Sequence, residues 1–264
     1  MKTRAREARS LNASVFGRDG YIVVKGMVDA TVCEDVRASV QAALDPLLGA
    51  AEFEADVGYP GAPWGLDSAG GRTPRRLLFA ASRFPRLKAW ATGRRMRSEL
   101  AAYLGDEPVL SQCHHNCVMT KSPGYSSATL WHQDIRYWSF DRPELVSVWL
   151  ALGDETNSNG ALKIIPGSHR LDLDRGRFDR DLFLRPDLPE NKGLIRQARD
   201  VVMQAGDVLF FHCRAIHAAG KNRSEEVKLS CVFTYHDTEN RPIPGTRSDR
   251  YPGLPLHGTG GRAG

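Results

Sequence analysis

Hydrophobic positions change their spacing once along this chain, near residue 107. Ahead of that point Tyr21-Ile22-Val23-Val24 reads as a short buried strand. Behind Asp29, a residue suited to capping, the apolar positions Val32, Val36, Val40, Ala43 and Leu44 fall at helical spacing, and the helix they predict stops near Pro46. Residues 49–74 are rich in Gly, Pro and Asp and carry no period, so they predict a long loop of the kind that serves function. A second helix is expected from about Ser82 to Leu104, with Leu87, Trp90, Leu100 and Tyr103 turned inward and Gly105 ending it.

Beyond residue 107 the period becomes two. Strand-like segments are expected at 108–120, 129–136, 145–152, 161–165, 199–204, 207–212 and 227–236, parted by Ser122-Pro123-Gly124, Asn159-Gly160, Pro166-Gly167 and Ala205-Gly206-Asp207. Short strands after two helices predict a mainly β fold with flanking helices and a double-stranded β-helix core, jelly-roll or cupin-like. From Arg170 to Arg196 the strand rhythm breaks, and 13 of 27 residues are charged, seven basic and six acidic. Balanced charge reads as a solvated insertion set over the barrel mouth. The expected organisation is a single domain spanning 1–264: a basic tail at 1–10, a buttress and loop at 11–106, the β core at 107–237 with an insertion at 170–198, and a Pro/Gly-rich tail at 238–264.

Composition narrows the class. The chain has 264 residues, 41% of them hydrophobic and 25% charged, as expected of a globular protein. Five Cys, with no CxxC pair, argue against a disulfide framework and for a reducing compartment. The basic N-terminus has no apolar stretch behind it, and the apolar runs fall far short of the roughly 20 residues a membrane helix needs. A cytoplasmic protein with no membrane partner is the expectation. Net charge is +5 and the pI near 9.0, which invites a nucleic-acid reading. Residues 1–10 and 241–264 each carry +3, however, leaving −1 on residues 11–240. With the excess charge on two tails expected to be flexible, no basic stripe remains and no nucleic-acid partner is expected.

The sharpest chemical signal is Trp131-His132-Gln133-Asp134. On a strand, positions i and i+2 share a face, so His132 and Asp134 would present an imidazole and a carboxylate together. A third ligand would complete a 2-His-1-carboxylate facial triad with open positions on iron, and His217, just beyond the apolar strand 207–212, is the candidate. Other side chains have plainer readings. Alternation divides Cys113-His114-His115-Asn116-Cys117 between two faces, which favours core filling over zinc. His169 reads as a loop-stabilising hydrogen bonder, His212 as core, and Cys213 and Cys231 as buried thiols. Trp131, Tyr137, Trp138 and Trp149 are core aromatics or pocket walls, an alternative that stays open.

The motifs in order resemble the phytanoyl-CoA dioxygenase family of Fe(II)- and 2-oxoglutarate-dependent oxygenases. The resemblance rests on Lys121-Ser122-Pro123-Gly124, Trp131-His132-Gln133-Asp134, Trp149-Leu150-Ala151-Leu152, Asn159-Gly160-Ala161-Leu162, Pro166-Gly167-Ser168-His169, Gly206-Asp207-Val208 and His217-Ala218-Ala219-Gly220-Lys221-Asn222-Arg223-Ser224. It implies Fe(II) held by His132, Asp134 and His217, with 2-oxoglutarate and O2 as cosubstrates. It further implies hydroxylation or another oxidation of a small organic substrate, coupled to decarboxylation of 2-oxoglutarate to succinate and CO2. Relatives that halogenate lack the carboxylate ligand, so Asp134 points to oxidation. The family anchors the distal carboxylate of 2-oxoglutarate with a basic residue, usually Arg, eleven positions after the last metal His. Here that position is Lys228, with Ser230 on the same strand face. A lysine offers a point charge where arginine offers a fork. Arg223 is a substitute anchor, and Asn116 and Gln133 are further candidates for cosubstrate contacts. The alternatives are a non-catalytic cupin-like binding or sensing protein and a metal-dependent dioxygenase without cosubstrate. Oligomeric state is left open.

Overall fold

The computed structural model describes residues 2–256, with side chains from residue 9 onward. The chain runs α1 (Lys2–Asp19), β1 (Tyr21–Val24), α2 (Ala30–Leu44), β2 (Ala51–Phe53), β3 (Pro74–Leu78), α3 (Ala80–Arg83), α4 (Pro85–Ala91), α5 (Arg94–Leu104), β4 (Pro108–Leu110) and β5 (Asn116–Lys121). It continues through β6 (Thr129–His132), β7 (Leu145–Ala151), β8 (Leu162–Ile164), α6 (Pro189–Ile195), β9 (Arg199–Asp200), β10 (Val208–His212), β11 (His217–Ala219), β12 (Lys228–Asp237) and β13 (Leu254–Pro255). Two antiparallel sheets result. The larger has the order β1-β10-β7-β12-β5-β3-β2, with β4 bridging β12 and β13; the smaller has the order β6-β11-β8-β9. This is the jelly-roll architecture expected, mostly strands with helices against one face.

Alternation on the central strands sorts the core into layers. On β12, Leu229, Cys231, Phe233 and Tyr235 join Val148 and Leu150 of β7 and Phe210 of β10 in a cluster against the helices, beside Val36, Val40, Leu87 and Leu100. The opposite faces send Val232, Trp149, Leu209 and Phe211 toward Leu162, Ile164 and Ala219 of the small sheet. The site lies between the sheets. Gly206 and Asp207 tie the start of β10 to the segment after β1. Gly206 has φ +88°, and a Cβ there would lie 2.2 Å from the Val28 carbonyl oxygen. The buried Asp207 carboxylate accepts from the Gly26 and Gln204 amides, both at 2.9 Å, and from Lys25 at 2.8 Å.

Several sequence expectations are corrected. Of the basic segment expected as a tail at 1–10, residues 2–10 are helical: α1 starts at Lys2 and reaches Asp19, Arg9 hydrogen-bonds Ser98 of α5, and Phe16 stacks on Tyr103 at 4.4 Å; residue 1 lies outside the described residues. The helix expected from Ser82 to Leu104 is three pieces, because Pro85 and Gly93 each begin a new one. The strand expected at 108–120 is β4 and β5 with an irregular link. Asp134 falls just past β6, in a short 3₁₀ turn over Asp134–Tyr137. The segment 238–256 is not a loose tail either. Its strand β13 pairs β4, Leu256 is buried, and Ser248 hydrogen-bonds His114; residues 257–264 of that expected tail lie outside the described residues. The positive charge of 241–256 is therefore folded structure. No helix among the described residues is long and apolar enough to cross a membrane, and all five Cys are free thiols.

Candidate active site

Strand pairing assembles the predicted ligands. Antiparallel β11 lies beside β6 with His217 opposite His132, and the turn after β6 brings Asp134 under both imidazoles. The Asp134 Oδ1 atom is 3.6 Å from Nε2 of each histidine, and one donor atom from each of the three residues lies within 4.8 Å of the others. All three residues are buried. His132 Nδ1 sits 2.8 Å from the Leu130 carbonyl and His217 Nδ1 3.0 Å from that of Ala215. Each ring thus donates from Nδ1 and points an Nε2 lone pair at the shared centre, the arrangement that prepares imidazole for a metal. Ser147 on β7 donates to the other carboxylate oxygen, Oδ2, at 2.8 Å, and His115 Nδ1 lies 3.6 Å from the same atom.

Electrostatics agree with that role. Burial works against the Asp134 charge, but His115, His217 and His132 outweigh it and hold the carboxyl well below its usual range. Burial, then the neighbouring His132, push His217 down to about 4, so it is neutral and available as a ligand at pH 7. The residues present fit a divalent iron.

A cavity of about 750 Å³ opens onto these three residues. Tyr59 from the 49–74 loop and Phe183 from the charged insertion both line it, so the two irregular segments meet at the mouth. The insertion is held to the edge of the small sheet by the Leu184 amide donating to the Trp131 carbonyl at 2.8 Å. Of the four aromatics left open by sequence, Tyr137, Trp138 and Trp149 line the cavity, whereas Trp131 packs on Ile165, Leu184 and Ile216.

The cosubstrate contacts do not form as a set. Asn116 lines the cavity, but its Oδ1 accepts from the Ala81 amide at 2.8 Å while its buried Nδ2 has no partner. Gln133 turns away and donates to the Arg214 carbonyl at 2.7 Å. Arg223 is exposed and off the cavity wall. Lys228 and Ser230 do share a face, but both are spent on a residue sequence reading missed. Glu155, fully buried, receives Lys228 Nζ at 3.0 Å, Ser230 Oγ at 2.5 Å and the Trp149 indole N–H at 2.6 Å. Neither Lys228 nor Ser230 lines the cavity, so that pair as it stands does not fit a cosubstrate carboxylate. The cavity does carry cations elsewhere, with Arg75, Arg76 and Lys121 in its wall. His115, Ser147 and Glu155 were missed because each is one polar residue whose partners are distant in sequence or lie in an irregular turn.

The likeness to known proteins matches this geometry. The family model for phytanoyl-CoA dioxygenase (PhyH) matches residues 16–230. The human peroxisomal phytanoyl-CoA dioxygenase is 28% identical over 148 residues, which is 51% of this chain and 43% of that protein. An ectoine dioxygenase of Sphingopyxis alaskensis is 25% identical over 246 residues, 87% of this chain and 76% of that protein. Against the first curated relatives it matches, the alignment takes in about half their length, 43% and 54%. Among solved structures, the epimerase SnoN, in complex with Fe3+, alpha ketoglutarate and nogalamycin RO, superposes with a TM-score of 0.70 at 25% identity, over 96% of this chain and 97% of that one.

Proposed function

This chain belongs to the phytanoyl-CoA dioxygenase family, and from that premise we propose that it is a non-haem Fe(II)- and 2-oxoglutarate-dependent oxygenase that hydroxylates, or otherwise oxidises, a small organic molecule. The observation that carries the reading is the convergence of His132 Nε2, His217 Nε2 and Asp134 Oδ1 in the wall of the cavity of about 750 Å³. When bound there, Fe(II) with 2-oxoglutarate supplies O2 activation coupled to release of succinate and CO2. Three protein donors leave three positions of an octahedron for exogenous ligands.

The protein's own part is positioning. The Nδ1–H bonds to the Leu130 and Ala215 carbonyls fix both imidazoles, and Ser147 fixes the carboxylate plane. Phe183 stands edge-on to His132 with ring centroids 6.1 Å apart, and Trp138 stands edge-on to His115 at 5.4 Å. These aromatic rings flank the centre in a cavity whose wall also carries charged side chains such as Arg75, Arg76 and Asp181. The substrate is a small molecule, the chain acts as one oxygenase unit, and its free thiols suit a reducing, cytoplasmic setting.

The test is anaerobic addition of Fe(II) and then 2-oxoglutarate to the purified protein. A visible charge-transfer band, followed by succinate formation on admitting air, is expected. Absence of both at saturating ligand would overturn the reading, and a band without succinate would identify a binding protein instead.

A further inference from the structure

Three Lys or Arg side chains are buried among the described residues: Arg75, Lys121 and Lys228. Two have carboxylate partners. Arg75 lies 3.4 Å from Glu54 and 3.6 Å from Glu52, and Lys228 lies 3.0 Å from Glu155. Lys121 has none. Its Nζ donates to the Ser127 carbonyl at 2.9 Å and the Gly220 carbonyl at 2.6 Å, which uses two of its three N–H bonds. Lys121 lines the cavity and Lys228 does not, although the two are cross-strand partners on β5 and β12.

From these placements we propose that Lys121 is the residue that takes the distal carboxylate of 2-oxoglutarate, and that Glu155 converts Lys228 and Ser230 into a closed internal pair; the inference rests on the cosubstrate reading above. Glu155 already occupies the donors sequence motifs reserve for the cosubstrate. Three hydrogen bonds satisfy its side chain, and its backbone is fixed by reciprocal bonds with Met203 at 2.8 and 3.1 Å. A second carboxylate set against it would meet like charge in a buried space, where repulsion is strong. Arg75 and Arg76 are paired with Glu52 and Glu54, so of the three cations Arg75, Arg76 and Lys121 it is Lys121 that has no carboxylate partner. Burial first, then Lys228 and Arg75, push its pKa down to about 7, so an arriving anion relieves an unfavourable charge. The reach suits a short diacid. Lys121 holds the carbonyl of Gly220, three residues beyond the metal-facing His217, and three extended residues span roughly 10 Å.

The experiment titrates the Fe(II)-loaded protein anaerobically with 2-oxoglutarate, and separately with 2-oxobutyrate, which lacks the distal carboxylate. Three proteins are compared: wild type, Lys121→Gln and the double variant Lys228→Met/Glu155→Gln. The Gln side chain keeps an N–H for the carbonyls, and the double variant avoids stranding one buried charge. For Lys121→Gln, unchanged Fe(II) binding is expected, with 2-oxoglutarate affinity down by about tenfold or more and 2-oxobutyrate affinity unaltered. That selective loss is something a merely structural role would not produce. The double variant should bind 2-oxoglutarate within a few-fold of wild type. The reverse pattern, with the double variant losing discrimination between the two acids and Lys121→Gln keeping it, overturns the proposal and leaves the cosubstrate reading intact. If wild type binds neither acid, both fall together, and wild type and variants then look alike.

Discussion

His217 faces His132 across the β6–β11 ladder, with the two imidazole centroids 4.2 Å apart. Residues 85 positions apart in the chain thus become one donor pair, and Asp134 closes it from the turn that follows β6. Metal binding should therefore depend on all three groups jointly. Fe(II) should raise the apo protein's Tm, since a ligand that binds only the folded state stabilises it. Asp134→Ala and His217→Ala should each abolish that rise while leaving far-UV circular dichroism unchanged. A metal-induced rise that survives Asp134→Ala would place the metal elsewhere.

Ser147 should act on metal affinity through Asp134. Its hydroxyl bonds Oδ2 at 2.8 Å, opposite the oxygen aimed at the histidines. Ser147→Ala should weaken Fe(II) affinity by roughly tenfold or more, as loss of a supporting bond to a ligand typically does. Competition with a chelator measures it, and an affinity equal to wild type would show that the bond does not orient the carboxylate.

The Glu155–Lys228 pair predicts an asymmetry in stability. Glu155→Ala strands a buried ammonium and should cost about 3–5 kcal/mol in urea denaturation. Adding Lys228→Met to Glu155→Gln removes both charges together and should leave a protein clearly more stable than Glu155→Ala. Equal instability of the two variants would mean that packing, rather than charge pairing, dominates at this position.

His114 should make the apo protein acid-sensitive. Its ring is buried against Ser248 at 2.7 Å, and burial first, then His115 and Arg247, lower its pKa from 6.5 to about 3. Between those values the unfolded chain takes up a proton that the folded one refuses. The histidine's contribution is therefore complete above pH 6.5 and is lost as pH falls toward 3. The slope is at most about 1.4 kcal/mol per pH unit for one group. His114→Gln should flatten the pH dependence of unfolding over that window by up to this amount, and an unchanged slope would assign the acid sensitivity to other groups.

The β half was legible because its strands alternate and its turns carry Gly and Pro at the required places. Helix α1 escaped notice because its sequence, from Lys2 to Asp19, has few apolar residues to set a period; Phe16, stacked on Tyr103, does much of its docking. Strand β3 was hidden by Arg75 and Arg76, basic residues that read as solvent-facing until Glu52 and Glu54 are placed beside them. The 238–256 segment looked loose from its Pro and Gly content, yet β13 completes an edge against β4 and Arg247 and Arg250 line the cavity.

The metal donors could be named from the linear chain because a facial triad demands particular side chains, and two of them are neighbours in a short motif. The motifs likewise sufficed for the family. Which cation is free to meet a ligand could not be read that way. Glu155 meets Trp149 six residues away and Lys228 and Ser230 at separations of 73 and 75, so its pairing exists only once β7 and β12 lie side by side. Ligand identity is a property of residue type, which the chain spells out. A buried charge's partner is a property of distance, which folding alone sets.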